Sequence, residues 1–191
     1  MNWTFQQRKL WDELKENRAM AEKRIVRATY EDLASIDVMF GDCKEYLESR
    51  GILQWDETYP NREYFEKALE GEEIFILKMD GQILGTMVLD EWQAPEWSEA
   101  GWTELNGKPL ILHSFCVHPS SQGGGYGGTM LQFAEEFARQ QGYSALRLDA
   151  YSGNESAVKF YEKRGYRKTG EVIMGQKRPG HQLYYCYEKL F

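Results

Sequence analysis

The chain has few cysteines, and their spacing is unsuited to shared chemistry. Cys43, Cys116 and Cys186 are odd in number, lie far apart in the sequence, and include no C-x-x-C pair or paired histidine spacing. This pattern favours neither a disulfide framework nor a zinc site. We therefore expect three buried, reduced thiols and no bound metal.

Long apolar runs and an excess of basic charge are also missing. No apolar run approaches the ~18 residues of a spanning helix, and the N-terminal segment is dense in charge, which argues against a signal peptide. The 23 basic residues are outnumbered by 30 acidic ones, and the net charge is −7. Nucleic acids and anionic membranes select basic surfaces. We expect a cytoplasmic protein that binds neither of them and attracts a cationic amine.

The chain does supply enough apolar side chains for one good core, since 42% of its 191 residues are hydrophobic. Residues 3–23 contain no glycine or proline and carry Leu10, Trp11 and Leu14 at helical spacing. We expect a helical extension over residues 1–23, which packs on the body or in a homodimer. A single domain is expected over residues 24–191.

Hydrophobic periodicity and turn residues predict mixed strands and helices in this domain. Strands are predicted over 24–29, 73–78, 82–91, 111–117, 144–151, 168–174 and 183–188, and helices over 31–50, 61–70, 129–141 and 155–164. The Trp-rich segment 92–109 is predicted as an edge hairpin or a substrate lid. Hairpins and crossovers together imply an α/β (α+β) fold, with a mixed sheet and helices on both faces.

A glycine-rich loop is the most informative feature of the sequence. Five glycines occupy six positions in 123–128, between a strand end at Val117 and a helix predicted to begin near Thr129. Glycines leave backbone N–H groups unshielded, and a helix N-terminus concentrates positive dipole. The loop therefore predicts a seat for a phosphate-bearing ligand.

Two nucleotide fingerprints compete for this loop. A Walker loop is excluded because no lysine precedes Thr129. The dinucleotide pattern G-x-G-x-x-G is met by Gly123, Gly125 and Gly128, with Asp149 placed as a ribose-binding acid. However, residues 118–122 separate the strand from the first glycine, and too little chain follows Asp149 for further βαβ units. The dinucleotide alternative is disfavoured.

A third pattern, Q/R-x-x-G-x-G/A, is met by Gln122, Gly125 and Gly127. The strand over 112–119 precedes it, and the signature N-x-x-A-x-x-F-Y-x-x-x-G-F/Y follows at Asn154, Ala157, Phe160, Tyr161, Gly165 and Tyr166. In this order the motifs resemble the GNAT superfamily of acyl-CoA N-acyltransferases. The resemblance covers residues 24–191 and is strongest over 111–166. It implies a mostly antiparallel sheet of about seven strands.

The resemblance implies acetyl-CoA as co-substrate, without a metal. The pyrophosphate would lie on the loop N–H groups, and the pantetheine arm would pair with the fourth strand where it splays from the fifth. A main-chain N–H there would polarise the thioester carbonyl. The residues implied to contact the coenzyme are Phe115, Cys116, Val117, Gln122, Gly123, Gly124, Gly125, Tyr126, Gly127, Gly128, Thr129, Asn154, Ala157, Phe160 and Tyr161. Asn154 also suits a capping role, beside an S-x-x-E box that begins at Ser152.

Tyr161 matches the family tyrosine that faces the coenzyme sulfur, so the resemblance implies that Tyr161 is the general acid. Without the motif, the simpler interpretation is that Tyr161 is a half-buried aromatic residue on an amphipathic helix. His113 is the candidate general base, because it lies two residues from Phe115 and so shares that face of a regular strand. The competing interpretation is a structural histidine. Cys116 alternates away from that face, which argues against a covalent intermediate.

The acceptor is predicted to be a primary amine, either a small molecule or a peptide, that attacks the thioester directly in a ternary complex. Trp55, Glu57 and Glu91 are the candidate substrate-binding residues. Asp56 and Asp90 are further acids that suit binding or deprotonation of the amine, and a water chain is an alternative to any single base. The alternative function is a non-catalytic CoA-binding regulatory or interaction module.

Overall fold

The structure is a computed structural model that describes residues 23–191. The predicted helical extension therefore lies outside the described residues, apart from Lys23. The strands are β1 (Arg24–Arg27), β2 (Ile74–Met79), β3 (Gln82–Asp90), β4 (Pro109–Val117), β5 (Ala145–Tyr151), β6 (Arg167–Ile173) and β7 (Leu183–Leu190). The α-helices are α1 (Leu33–Glu48), α2 (Arg62–Glu70), α3 (Tyr126–Gln140) and α4 (Glu155–Glu162). Within this part of the chain, no helix has the length and apolarity needed to cross a membrane.

The seven strands form one sheet in the order β1-β2-β3-β4-β5-β7-β6. All neighbours are antiparallel except β4 and β5, which run parallel. A first core lies between the sheet and helices α3 and α4, and a second core lies between the opposite face and helices α1 and α2. The predicted fold class, a mixed and mostly antiparallel sheet with helices on both faces, is confirmed.

Local sequence accounts for most element ends. Asp80 and Gly81 both have positive φ, 51° and 77°, as the tight β2–β3 hairpin requires. The Asn61 side chain accepts from the Tyr64 N–H at 2.9 Å and caps α2. Helix α3 begins at Tyr126, three residues before the predicted start, because Gly125 adopts the left-handed conformation that ends the loop.

The Trp-rich segment does not form the edge hairpin that was one of the two predictions for it. Pro95–Glu99 form a short 3-10 helix, and no strand forms between Trp92 and Lys108. Trp97 is 1% exposed and packs on the second-core side of the sheet, with residues of β4, β5, β6 and β7. The segment is therefore a fixed wall of the domain rather than an edge hairpin.

A buried ion cluster ties this wall to the sheet. Glu188 on β7 accepts from Arg147 on β5 at 3.4 Å, from Arg167 on β6 at 2.5 Å and from the Thr103 hydroxyl. Removing one member of a buried ion pair leaves an uncompensated charge and costs about 3–5 kcal/mol. Glu188→Ala is therefore expected to lower the free energy of unfolding by that amount in urea titrations. Glu155→Ala, which removes an exposed pair with Lys159, is expected to leave the midpoint unchanged.

Candidate active site

Strands β4 and β5 separate in the middle of the sheet. Their pairing runs from Pro109 opposite Ala145 to Ile111 opposite Arg147 and then stops. A cavity of about 720 Å³ fills the gap between the remaining parts of the two strands. The strand separation that the family resemblance implied is therefore present, and it opens a passage from one face of the sheet to the other.

A β-bulge interrupts β4 at the mouth of this gap. Thr86 pairs with Cys116 and Val88 pairs with His113, so β4 carries one residue more than β3 over the same interval. Ser114, within that interval, has a φ of 46°, which is unusual for a non-glycine residue. Such bulges re-aim side chains and interrupt strand pairing.

The bulge changes which side chains share a face. Phe115 and Val117 pack against the first core, whereas Cys116 packs against the second. His113 is paired with Val88, a second-core residue, and so lies on the face of Cys116. The predicted common face of His113 and Phe115 is wrong, because regular alternation does not pass through an inserted residue.

A chain of hydroxyl groups holds the bulge. The Tyr59 hydroxyl lies 3.0 Å from Ser114 Oγ, and Ser114 Oγ donates to the Tyr64 hydroxyl at 3.3 Å. Ser114 is 8% exposed, and the Tyr59 and Tyr64 rings meet edge to face. This network fixes the left-handed conformation of Ser114 beside the gap.

The glycine-rich loop forms one end of the cavity. Gly123 and Gly125 have φ of 83° and 78°, and nothing lies within 4 Å of where a side chain would stand on either residue. The first new helical bond is donated by Thr129 to Gly125 at 3.1 Å. Within the described chain, the N–H groups of Tyr126, Gly127 and Gly128 consequently have no acceptor.

Close packing surrounds the first turn of α3. A Cβ on Gly127 would lie 3.3 Å from the Phe160 ring, and one on Gly128 would lie 3.0 Å from the Arg164 guanidinium. The Gln122 side chain donates to the Val117 carbonyl at 3.1 Å and thereby joins the loop to the end of β4. The loop is thus held between β4 and α4, with a positive side chain at its rim.

Asn154 caps helix α4. Its side-chain oxygen accepts from the Ala157 N–H at 3.2 Å, and its amide nitrogen donates to the Gln54 side chain at 2.9 Å. The helix begins at Glu155, so Asn154 is the cap, and the S-x-x-E box from Ser152 does not form. The cap also brings the 51–60 loop to the cavity wall through Gln54.

Tyr161 projects from α4 into the cavity. Tyr161 is 7% exposed, and its ring contacts the rings of Phe160, Tyr166 and Tyr187. Burial raises the pKa of the Tyr161 phenol, and Asp149 adds to the effect, so the group keeps its proton at neutral pH. No described residue makes a hydrogen bond with its hydroxyl, which is left facing the cavity.

His113 is already engaged at the cavity wall. Its Nε2 lies 3.0 Å from the Trp92 carbonyl oxygen and 3.3 Å from Asp90 Oδ1. Burial alone would lower the pKa of His113, but the contact with the Asp90 carboxylate raises it above its usual value. The imidazole therefore holds a proton more firmly than a free histidine, so a smaller fraction of it is unprotonated and able to accept a proton from an amine.

The comparisons with known proteins agree with this geometry. A model of the acetyltransferase (GNAT) family matches residues 39–166. The chain belongs to the GNAT family. The resemblance inferred from the glycine loop and the α4 signature is confirmed.

Two curated relatives of this GNAT chain lie in bacteria. An uncharacterised N-acetyltransferase from the pepI 3′ region of Lactobacillus delbrueckii subsp. lactis is 30% identical over 115 residues, or 59% of this chain. The match spans 63% of that relative, less than two thirds of its length. The uncharacterised N-acetyltransferase YhfO of Bacillus subtilis (strain 168) is 28% identical over 151 residues, covering 78% of this chain and 93% of the relative.

Solved structures share the GNAT fold. A GNAT family acetyltransferase from Streptococcus agalactiae 2603 has a TM-score of 0.74 at 19% identity, covering 88% of this chain and 95% of that one. The yncA protein of Salmonella typhimurium, solved with its cofactor acetyl-CoA, has a TM-score of 0.66 at 16% identity, covering 88% and 94%. At these identities the likeness shows the fold alone.

The residues predicted to contact a GNAT coenzyme fall together. The cavity wall includes Phe115, Cys116, Val117, Gln122, Gly123, Gly125, Tyr126, Gly127, Gly128, Asn154, Ala157, Phe160 and Tyr161. Gly124 and Thr129 adjoin this wall in the same loop and helix turn. The Thr129 hydroxyl contacts Lys23 Nζ at 3.0 Å.

Of the residues predicted to bind the acceptor, one lines the cavity and two do not. Trp55 lines the cavity and packs against Phe40, with ring centroids 5.0 Å apart. Glu57 and Glu91 lie outside the wall: Glu57 pairs with Lys44 at 3.1 Å, and Glu91 pairs with Lys108 at 2.9 Å. Acidity in the sequence indicated these two residues, but both face solvent and bind surface lysines.

Several residues that line the cavity were not predicted from the sequence, namely Tyr59, Ser114, Arg164 and Lys177. Asp149 was considered only as a ribose-binding acid, whereas in the structure it lines the cavity. The bulge at Ser114 and the long-range approach of Lys177 leave no local signal in the sequence. Arg164 was within reach of sequence reasoning, because it follows Phe160 by one helical turn and therefore returns to the same face.

Proposed function

We propose that the chain is an N-acetyltransferase that transfers an acetyl group from acetyl-CoA to a primary amine by direct attack. The main support for this proposal is the cavity that lies where β4 and β5 separate. It joins unsatisfied N–H groups at a helix N-terminus to the buried Tyr161 phenol within one connected space. Family membership supplies the reaction class, and yncA binds acetyl-CoA on the same fold.

The glycine loop suits the coenzyme pyrophosphate. Three N–H groups at the start of α3 lack acceptors in the described chain, and the helix dipole adds positive potential there. Open space over Gly123 and Gly125 lets phosphate oxygens approach the backbone. The Arg164 guanidinium at the rim supplies a full positive charge. Gln122, Gly124 and Thr129 complete the seat.

The free edge of β4 suits the pantetheine arm. Because β5 leaves the ladder after Ile111, no strand of the described chain pairs with the Phe115–Val117 edge toward the gap, and an added extended segment can pair there beside the Val117 carbonyl that Gln122 already bonds. Asn154, Ala157 and Phe160 form the opposite wall from α4. We assign polarisation of the thioester carbonyl to a main-chain N–H of β4 at the Ser114 bulge.

Tyr161 is the proposed general acid. Its phenol is protonated, faces the cavity and lies on the α4 side, where the departing sulfur would be held. A thiolate formed there takes the phenolic proton as the carbon–sulfur bond breaks. Cys116 has no part in the transfer, because burial and the Cys43 thiol raise the pKa of Cys116 well above its usual value.

His113 is proposed as a positively charged group of the wall rather than as the base. It is fixed by Asp90 and Trp92, and its raised pKa favours the imidazolium. Trp55 supplies an apolar surface on the acceptor side. We place the acceptor amine on this second-core side of the gap, opposite Tyr161.

Thiol release tests the proposed function. The purified protein is incubated with acetyl-CoA and a panel of primary amines, and free CoA thiol and acetylated amine are measured together. Benzylamine and N,N-dimethylbenzylamine make a matched pair, since only the first forms a stable amide. Turnover with a primary amine supports the proposal. Acetyl-CoA binding without thiol release for any amine would indicate the non-catalytic module instead.

A further inference from the structure

Asp149 occupies the acceptor side of the gap. It lies on β5 two residues beyond the last pair with β4 and lines the cavity. Its neighbours Leu148 and Ala150 belong to the first core, so strand alternation directs Asp149 to the opposite face. Tyr161 lies on the first-core side. The phenol and the carboxylate therefore approach the cavity from opposite faces of the sheet.

The Asp149 carboxylate is held at one oxygen only. Oδ2 accepts from Trp97 Nε1 at 3.0 Å, and Trp97 is itself packed against residues of β4, β5, β6 and β7. Among the described residues, no lysine, arginine or histidine nitrogen lies within 4 Å of the carboxylate. Burial raises the pKa of Asp149, although the more distant His113 and Lys177 act against the shift. A partly buried carboxylate without a cation beside it is costly, and a positively charged ligand would relieve that cost.

The rival groups in the wall are committed elsewhere. Asp56 Oδ1 accepts from the Thr58 N–H, the Thr58 hydroxyl and the Tyr59 N–H, which closes a turn. Burial alone would raise the pKa of Asp56, but these hydrogen bonds lower it below its usual value and make the carboxylate a weaker base. His113 is bound to Asp90. Asp56 and Asp149 each keep one carboxylate oxygen without a hydrogen bond to a described residue, but Asp149 is the one that stands on a strand bordering the gap, on the face opposite Tyr161.

We propose that Asp149 receives the ammonium group of the acceptor and removes its proton. This rests on the proposed N-acetyltransferase function. The carboxylate takes one proton from the ammonium, and the nitrogen lone pair then forms a bond to the thioester carbon. The carbon–sulfur bond breaks, and the thiolate takes the Tyr161 proton. The second amine proton returns to the Tyr161 phenolate, and the proton on Asp149 passes to solvent.

Asp149→Asn tests this role, because the amide oxygen still accepts from Trp97 while the base is lost. With a primary amine found by thiol release, kcat is expected to fall about 100-fold or more, and the Kd of acetyl-CoA is expected to stay within about twofold. The Tm is expected to rise or stay constant, since a partly buried charge without a cation beside it is removed. Glu96→Gln is the control: it removes a carboxylate near Asp149 that lies outside the wall, and kcat should be unchanged.

A second readout separates deprotonation from packing. Acceptors whose ammonium pKa lies below the assay pH arrive as free amines, so the Asp149→Asn penalty should shrink as the amine pKa falls. A wild-type kcat in Asp149→Asn would overturn the proposal. So would parallel losses of Tm and acetyl-CoA affinity, which indicate a structural role. If the wild type itself turns over no amine, the proposed function fails and this role fails with it.

Discussion

Gly125→Asp is expected to abolish acetyl-CoA binding in a calorimetric titration. Gly125 is the N-cap of α3, at a φ of 78°, and the space above it is open to the proposed phosphate seat. An aspartate there places a carboxylate against the pyrophosphate and competes for the N–H groups of the first helical turn. Loss of the seat should weaken binding by at least about 100-fold, because several charge-assisted hydrogen bonds are lost together.

Two control variants separate charge from backbone strain. Gly125→Asn has nearly the same size and tolerance of positive φ, so it should retain more affinity than Gly125→Asp. Gly142→Asp introduces the same residue at a φ of 80°, also with open space, at the far end of α3. It should bind acetyl-CoA as the wild type does. Wild-type affinity in Gly125→Asp would remove the loop from the coenzyme site.

Tyr161→Phe is expected to lower kcat by about 100-fold, within the range of general acid catalysis, while the Kd of acetyl-CoA changes by less than about twofold. The substitution removes only the hydroxyl that faces the cavity, and the ring contacts with Phe160, Tyr166 and Tyr187 persist. The thiolate then leaves without a proton donor. Steady-state kinetics and calorimetry of the same preparation provide both quantities.

Tyr187→Phe is the matched control. Tyr187 belongs to the same aromatic cluster, but its hydroxyl bonds to Glu162 at 3.1 Å and lies outside the cavity wall. Its loss should lower stability slightly and leave kcat unchanged. Equal effects of the two substitutions on kcat would mean that packing of the cluster, rather than the Tyr161 proton, governs turnover.

Most of the fold was predictable from local patterns. Apolar segments bounded by turn residues predicted all seven strands, and Asp80-Gly81 predicted the hairpin because both positions need positive φ. Helix ends were less exact. Helix α3 starts at Tyr126 because Gly125 adopts the left-handed conformation and acts as the N-cap. Several adjacent glycines could adopt that conformation, so the sequence does not show which of them caps the helix. The edge hairpin predicted for the Trp-rich segment was wrong, because Trp97 packs against strands that are distant in the sequence.

The coenzyme side of the site was more predictable than the acceptor side. Pyrophosphate binding depends on one continuous loop and helix, so a short motif specifies it. The acceptor side is assembled from separate segments by long-range packing. His113 shows the limit most clearly: one inserted residue at Ser114 moves it to the other face, and no local pattern marks a β-bulge without a glycine. Glu57 and Glu91 were indicated by their charge and their position in the sequence, whereas in the structure both are exposed and pair with surface lysines.

A calorimetric titration of the purified wild-type protein with acetyl-CoA, with NADH as the comparator, tests the coenzyme assignment of the glycine loop. We expect micromolar binding of acetyl-CoA and no measurable binding of NADH, because the loop N–H groups and the separated strands suit a pyrophosphate followed by an extended arm. Binding of NADH without acetyl-CoA would contradict this assignment and would return the glycine loop to the dinucleotide interpretation.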